Sequence, residues 1–172
     1  LKQTAADGIY HLSYGMVELP TGKMKSREGT VVDADDLVDE MINISKEKTE
    51  ALGKVSDFTS EQLIALYNTI GLGALKFFLL RVDPKKKMIF NPEESIDFHG
   101  FTGPFIQYTH ARIKSILRKT GTTVTLTANE LLPLEKQLAI ELSLFPAIIN
   151  EAADNLDPSK IAIYAFNLAK LF

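Results

Sequence analysis

Apolar and polar positions divide this chain into stretches of different character. From Pro104 to Lys119 the pattern is amphipathic. Phe105, Ile106, Ile113, Ile116 and Leu117 share one face at the spacing of a 3.6-residue helix. Residues 61–80, "EQLIALYNTIGLGALKFFLL", are apolar nearly all round, which predicts a helix buried on most sides. Gly71 and Gly73 each weaken a helix by about 1 kcal/mol relative to Ala. They mark either a break between two helices or a close packing contact. Leu134, Leu138, Ile140, Leu142 and Phe145 predict a helix stopped by Pro146, and Ala147–Asn155 predicts another. Ile161, Ala165, Leu168 and Phe172 continue a helical stripe to the last residue. Residues 9–19, "IYHLSYGMVEL", instead mix aromatic and β-branched residues without helical spacing. They predict short strands at Ile9–Ser13 and Met16–Leu19.

Polar punctuation supports these boundaries. Asp33 is placed to cap a helix over Ala34–Lys48. Thr59 followed by Gln62 has the form of a capping box. Asn91 before Pro92 predicts a short capped helix, and Asp157-Pro158 predicts the start of the last one. Pro20 with Gly22, and "GFTGP" at 100–104, break the chain. The fold class expected is mainly α: a helical bundle preceded by a small α/β element. The domains expected are residues 1–102 and 103–172.

Composition narrows the function. The 172 residues carry a net charge of −3, so a polyanion site must be a local cationic patch. The absence of cysteine excludes disulfides and cysteine–zinc sites within the chain, and fits a reducing compartment. No uninterrupted apolar run approaches the 18 or so residues of a membrane span, and no signal peptide is recognisable at Leu1–Tyr10. Leu1 is not Met, and "NLAKLF" ends mid-pattern without a helix stop, so a piece of a larger protein is expected.

Two groups of residues could carry chemistry. Lys23, Lys25 and Arg27 alternate between Gly22 and Gly29 in "TGKMKSREGT". A glycine-flanked cationic loop can fold over a polyphosphate, lysine as a point charge and arginine as a planar fork. The plain alternative is a solvated turn. Gln107, His110, Lys114 and Arg118 form a polar strip on the Pro104–Lys119 helix. With Tyr108 offering a ring for stacking, they could contact RNA; otherwise they are the wet side of an amphipathic helix. His11, His99 and His110 lack metal-ligand spacing, and Glu93 and Glu94 suit a helix first turn. No hydrolase triad, dinucleotide fingerprint or phosphate-loop motif occurs.

The residues also resemble a family. "GPFIQYTHARIKSILRK" looks like the opening of the helical anticodon-binding domain of arginyl-tRNA synthetases, where a Q-Y-x-x-A-R-I string begins the bundle. "SYGMVELPTGKMKSREGTVVDADDLVDEM" is similar to the stretch that carries their class I KMSKS loop, and "GALKFFLLRVDPKKKMIFNPEESIDF" to the segment linking the two. "LAIELSLFPAIINEAADNLDPSKIAIYAFNLAKLF" resembles later helices of the same domain, of the DALR type. The likeness runs from about His11 to Phe172 in one order. The loop departs from K-M-S-K-S, reading Lys23-Met24-Lys25-Ser26-Arg27.

The resemblance implies a C-terminal part of an enzyme that activates arginine with ATP and Mg2+ and transfers it to tRNA. Lys23, Lys25 and Arg27 would meet the ATP phosphates, with Arg27 in the place of the second signature lysine. Gln107, Tyr108, His110, Arg112, Lys114 and Arg118 would contact tRNA; Arg112 has the alternative of pairing with an acid inside the bundle. The resemblance further implies a cytoplasmic monomer with no membrane partner and no resident metal. The piece itself is expected to be inactive, to bind tRNA weakly at most, and to be mobile over Thr21–Glu28. A cysteinyl-tRNA synthetase-like piece and a stand-alone helical interaction module are the alternatives.

Overall fold

A computed structural model describes residues 8–20, 33–53, 55–120 and 130–172. Its axis is one long helix, α2 in chain order, over Ser60–Leu80. The capping box forms as the sequence predicts. Thr59 Oγ1 accepts from the Gln62 N–H at 3.3 Å, and Gln62 Oε1 accepts from the Thr59 N–H at 2.9 Å. The helix runs unbroken through Gly71 and Gly73, so of the two readings the close contact is the one realised. An alanine Cβ at Gly71 would stand 2.9 Å from the Met41 carbonyl oxygen of α1 (Ala34–Ala51). At Gly103, the first residue of α4 (Gly103–Thr120), it would stand 2.5 Å from the Gly73 carbonyl oxygen. Missing side chains thus bring backbone to backbone on two sides of α2.

Helix α1 starts where Asp33 caps it, accepting from the Asp35 N–H at 3.2 Å. Asp35 and Asp36 lie in its first turn and Lys48 in its last, each favourable to the helix dipole. Met41 and Ile44 of α1 join Ile70, Ala74, Leu75 and Phe78 of α2, with Phe90 and Ile96, in one buried cluster. The Phe78 and Phe90 rings meet edge to face at 5.1 Å. Phe90 and Ile96 are delivered by the connector after α2. It makes the strand β2 (Met88–Ile89) and the short helix α3 (Pro92–Ser95), capped by Asn91 as predicted.

The N-terminal expectation needs correction. The strand β1 is only Val17–Glu18, and it pairs in parallel with β2, Val17 opposite Met88 and Glu18 opposite Ile89. Ile9–Ser13 is not a strand; Ile9, Tyr10 and Leu12 are exposed. Aromatic and β-branched composition favours a strand only where an edge is available to pair with. Among the described residues the partner strand lies 71 residues downstream, which local pattern could not reveal.

After Arg81 and the connector, α4 is joined by α5 (Pro133–Ser143), α6 (Phe145–Asn155) and α7 (Ser159–Leu171). Phe145 and Pro146 belong to the first turn of α6 rather than the end of α5, since a first-turn proline needs no N–H partner. Helix α7 starts one residue later than predicted, with Pro158 at its N-cap rather than in its first turn, and Asp157 Oδ1 accepts from the Ser159 N–H at 3.0 Å just ahead of it. Phenylalanines knit the two parts together. Phe101 meets Phe77 of α2 at 5.3 Å and Phe166 of α7 at 4.5 Å, and Phe105 of α4 meets Phe166 at 5.1 Å.

One further point bears on the sequence reading. By length and mean hydropathy (1.7), α2 could cross a bilayer, although no uninterrupted apolar run in it is long. Here α1, α3, α4 and α7 pack around it, so it is a core helix of this fold.

The two kinds of glycine contact predict different costs. Gly103→Ala forces backbone apart and should lower the unfolding free energy by about 2–3 kcal/mol. Gly73→Ala meets only the movable Gln107 side chain and should cost less, as helix propensity offsets part of the loss. Urea denaturation of both variants checks the order.

Candidate nucleic-acid interface

Helix α4 has a sequence with no acid in it: "GPFIQYTHARIKSILRKT" carries Arg112, Lys114, Arg118 and Lys119 and neither Asp nor Glu. In a chain of net charge −3, that makes α4 a local cationic element. Arg118 and Lys119 sit in its last turn, where cations are favourable to the helix dipole. At its start, Thr102 Oγ1 accepts from the Phe105 N–H at 3.3 Å and donates to the Asp97 carbonyl, fixing the helix's entry.

The expected contact residues separate into two sets. Gln107 is turned inward: its Nε2 donates to the Thr69 carbonyl of α2 at 2.9 Å, and its amide lies over Gly73. Its Oε1 is buried without a partner among the described residues. Gln107 therefore clamps α4 to α2. Tyr108, His110, Arg112, Lys114 and Arg118 face outward and are exposed. The Arg112 guanidinium lies 6.0 Å from the Tyr108 ring centroid, one turn away. Among the described residues Arg112, Lys114 and Arg118 have no acidic partner, so the internal ion pair considered for Arg112 is not formed. Side chains that are cationic, exposed and unpaired are available to a phosphate backbone, and a Tyr–Arg stack is available to an unpaired base.

Two grooves flank this face. Between α2 and α4, a groove of about 480 Å³ is lined by Leu66, Phe98, Ile106 and Tyr108, with His110 at its edge. Between α4, α5 and α7, a groove of about 570 Å³ is lined by Ile106, Ile113, Leu142, Phe145, Leu168 and Phe172. His110 borders both. The amphipathic faces foretold apolar surface here, but not that it would remain open.

Lys23, Lys25 and Arg27 lie outside the described residues, as does the segment Thr21–Glu28 that contains them. Among the described residues, no three His, Cys, Asp or Glu come close enough to hold a metal ion. Sequence reasoning missed Arg81. Its guanidinium stands 3.8 Å from the Phe78 ring centroid and 5.2 Å from that of Phe101. It donates to the Phe101 carbonyl and pairs with Glu94 at 3.7 Å. Burial pulls its pKa down, opposed by Glu94. One side chain thus ties the end of α2 to α3 and to the entry of α4. Nothing in "LLRVDP" signals this, because two of its partners, Glu94 and Phe101, lie 13 and 20 residues downstream.

Comparison with known proteins gives this geometry its context. Residues 106–172 match the family model of the DALR anticodon binding domain. These helices are similar to that domain. Along 166 residues the chain is 57% identical to the arginine–tRNA ligase of Flavobacterium psychrophilum, covering 96% of this chain and 28% of that protein. It is 53% identical over 168 residues to that of Bacteroides fragilis, covering 94% and 28%. The solved Thermus thermophilus arginyl-tRNA synthetase superimposes with a TM-score of 0.83 at 32% identity, over 94% of this chain and 26% of that one. The Plasmodium falciparum enzyme gives 0.71 at 22% identity, a likeness of fold alone. The chain thus corresponds to a C-terminal piece of arginyl-tRNA synthetases and spans about 28% of the length of the curated relatives it matches. These relatives favour the arginyl reading over the cysteinyl one and over the stand-alone module.

Arg81→Lys keeps the charge but removes the planar fork and its stacking. A loss of about 1–3 kcal/mol in unfolding free energy is expected, with Glu94→Gln costing less, and denaturant titration measures both.

Proposed function

We propose that this chain is the tRNA-reading part of an arginine–tRNA ligase, an enzyme that joins arginine to its tRNA at the expense of ATP. The observation that carries the reading is the outward face of α4. It is acid-free, with Arg112, Lys114 and Arg118 exposed and, among the described residues, unpaired, and with Tyr108 beside Arg112. Cations without acidic neighbours gain affinity for a phosphate backbone by releasing its counterions. An exposed tyrosine ring supplies a sequence-tolerant platform for an unstacked anticodon base. Gln107 serves the face indirectly, by holding α4 on α2. His110, at the rim of both grooves, is placed to donate or accept at a base edge.

The remaining parts of the reading rest on the resemblance. ATP, with Mg2+, would supply the phosphoanhydride broken when arginine is activated. Lys23, Lys25 and Arg27 would meet its phosphate oxygens, the charge arrangement such a transfer needs. A cytoplasmic, monomeric whole enzyme completes the proposal, with the present chain unable to aminoacylate alone.

The test is a titration of the chain with tRNA for arginine and with a tRNA for another amino acid, at two salt concentrations. The arginine tRNA should be preferred at the higher salt. Lys114→Ala with Arg118→Ala should weaken binding of both tRNAs alike and reduce the salt slope by about 1.5–2. Tyr108→Ala should cost about 1–3 kcal/mol with little change of slope. Equal binding of the two tRNAs, insensitive to all three substitutions, would sink the proposal.

A further inference from the structure

Helix α4 carries one group whose charge is set by pH. His110, Lys114 and Arg118 stand four residues apart, so they form a single row along the helix, each about 6 Å further along its axis than the last. All three are exposed. Lysine and arginine stay charged throughout the neutral range, whereas a histidine side chain is the one that exchanges its proton between about pH 5 and 8. The row thus holds two fixed cations and, at its N-terminal end, a conditional third.

The surroundings leave that third charge uncompensated. Among the described residues His110 has no ion pair. It lies where the two grooves beside α4 meet, so the groove walls are what faces it from neighbouring elements. From α2 these are Leu66, Thr69 and Ile70, and from the connector Phe98. From α5, α6 and α7 they are apolar side chains and Tyr164. No carboxylate, lysine or arginine lines either groove among the described residues. Tyr108 and Tyr164 are the other titratable groups in the two linings, and the Tyr164 hydroxyl is committed to the Glu141 carbonyl at 3.0 Å. On its own helix the charges in line with His110 are Lys114 and Arg118, with Arg112 beside Tyr108 on the neighbouring row. No acid is at hand to cancel an imidazolium here.

We propose that His110 is the pH-gated third cation of this row: protonated, it adds its charge to those of Lys114 and Arg118 against an RNA backbone, and neutral, it leaves two. The inference rests on the proposed tRNA contact and adds the pH at which that contact is strongest. Each cation that neutralises a phosphate releases condensed counterion, so log K for a single strand falls with log[salt] more steeply by about 0.7 per cation. A neutral imidazole can still meet a base edge, but it releases no counterion and leaves the slope unchanged. Lower pH therefore tightens binding and makes it more sensitive to salt.

The test is a titration of the chain with tRNA for arginine over a series of salt concentrations, at about pH 5.5 and about pH 8. The salt slope should be steeper at the lower pH by about 0.7. His110→Gln keeps a hydrogen-bonding side chain without the charge and should show the shallow slope at both pH values. His110→Lys fixes the charge and should show the steep slope at both. His11 and His99 lie outside α4 and remain in every variant, so they report any pH effect that arises elsewhere. A pH-dependent slope that persists in His110→Gln, or one already absent from the unsubstituted chain, would overturn the gated cation. If Lys114→Ala with Arg118→Ala still lowers the slope in that case, the tRNA reading stands without it; if no substitution in the row moves the slope, both fall.

Discussion

The close approach of backbone to backbone along α2 is the constraint on which the rest depends. At Gly71 the carbonyl of Met41 occupies the space a side chain would take, and at Gly103 the carbonyl of Gly73 does. These contacts set how near α1 and α4 come to α2, and hence whether Met41, Ile44 and Phe78 can close a dry core. They also fix the place from which α4 projects its cations. Packed interiors do not stretch to absorb an added methyl group, so the two faces of α2 are positioned together.

Around that spine the molecule separates holding from presenting. Gln107 and Arg81 look like surface-capable polar residues, yet both are committed to inter-element contacts, one on the Thr69 carbonyl and the other between two phenylalanine rings and Glu94. Tyr108, Arg112, Lys114 and Arg118 are left outward on the same helix, unpaired with acids among the described residues. A surface free of compensating acids keeps its local potential even though the chain is acidic overall. That potential, rather than any single residue, is what the proposed RNA contact would draw on.

The two apolar grooves beside α4 belong to the same arrangement. One is walled by α2 and α4, the other by the amphipathic faces of α4, α5 and α7, whose apolar residues are only partly covered by one another. His110, bordering both, is the place where polar recognition and apolar surface meet.

Much of this was legible locally. Asp33, Thr59 with Gln62, and Asn91 each cap a helix where the sequence placed it, because a cap is a contact across two or three residues. The amphipathic period of α4 and the all-round apolarity of α2 likewise report local geometry, and the quoted strings were specific enough to carry the family. What the sequence by itself determined, then, was the helices, most of their starts, the family resemblance and the cationic character of α4. The tertiary structure alone decided that Gly71 and Gly73 mark contact rather than a break, and that Val17–Glu18 finds its partner at Met88–Ile89 while Ile9–Ser13 finds none. It also decided that Gln107 turns inward and that Arg81 joins three elements. Each of these depends on which backbone or ring lies opposite, up to 71 residues away in the chain, and no local spacing encodes that.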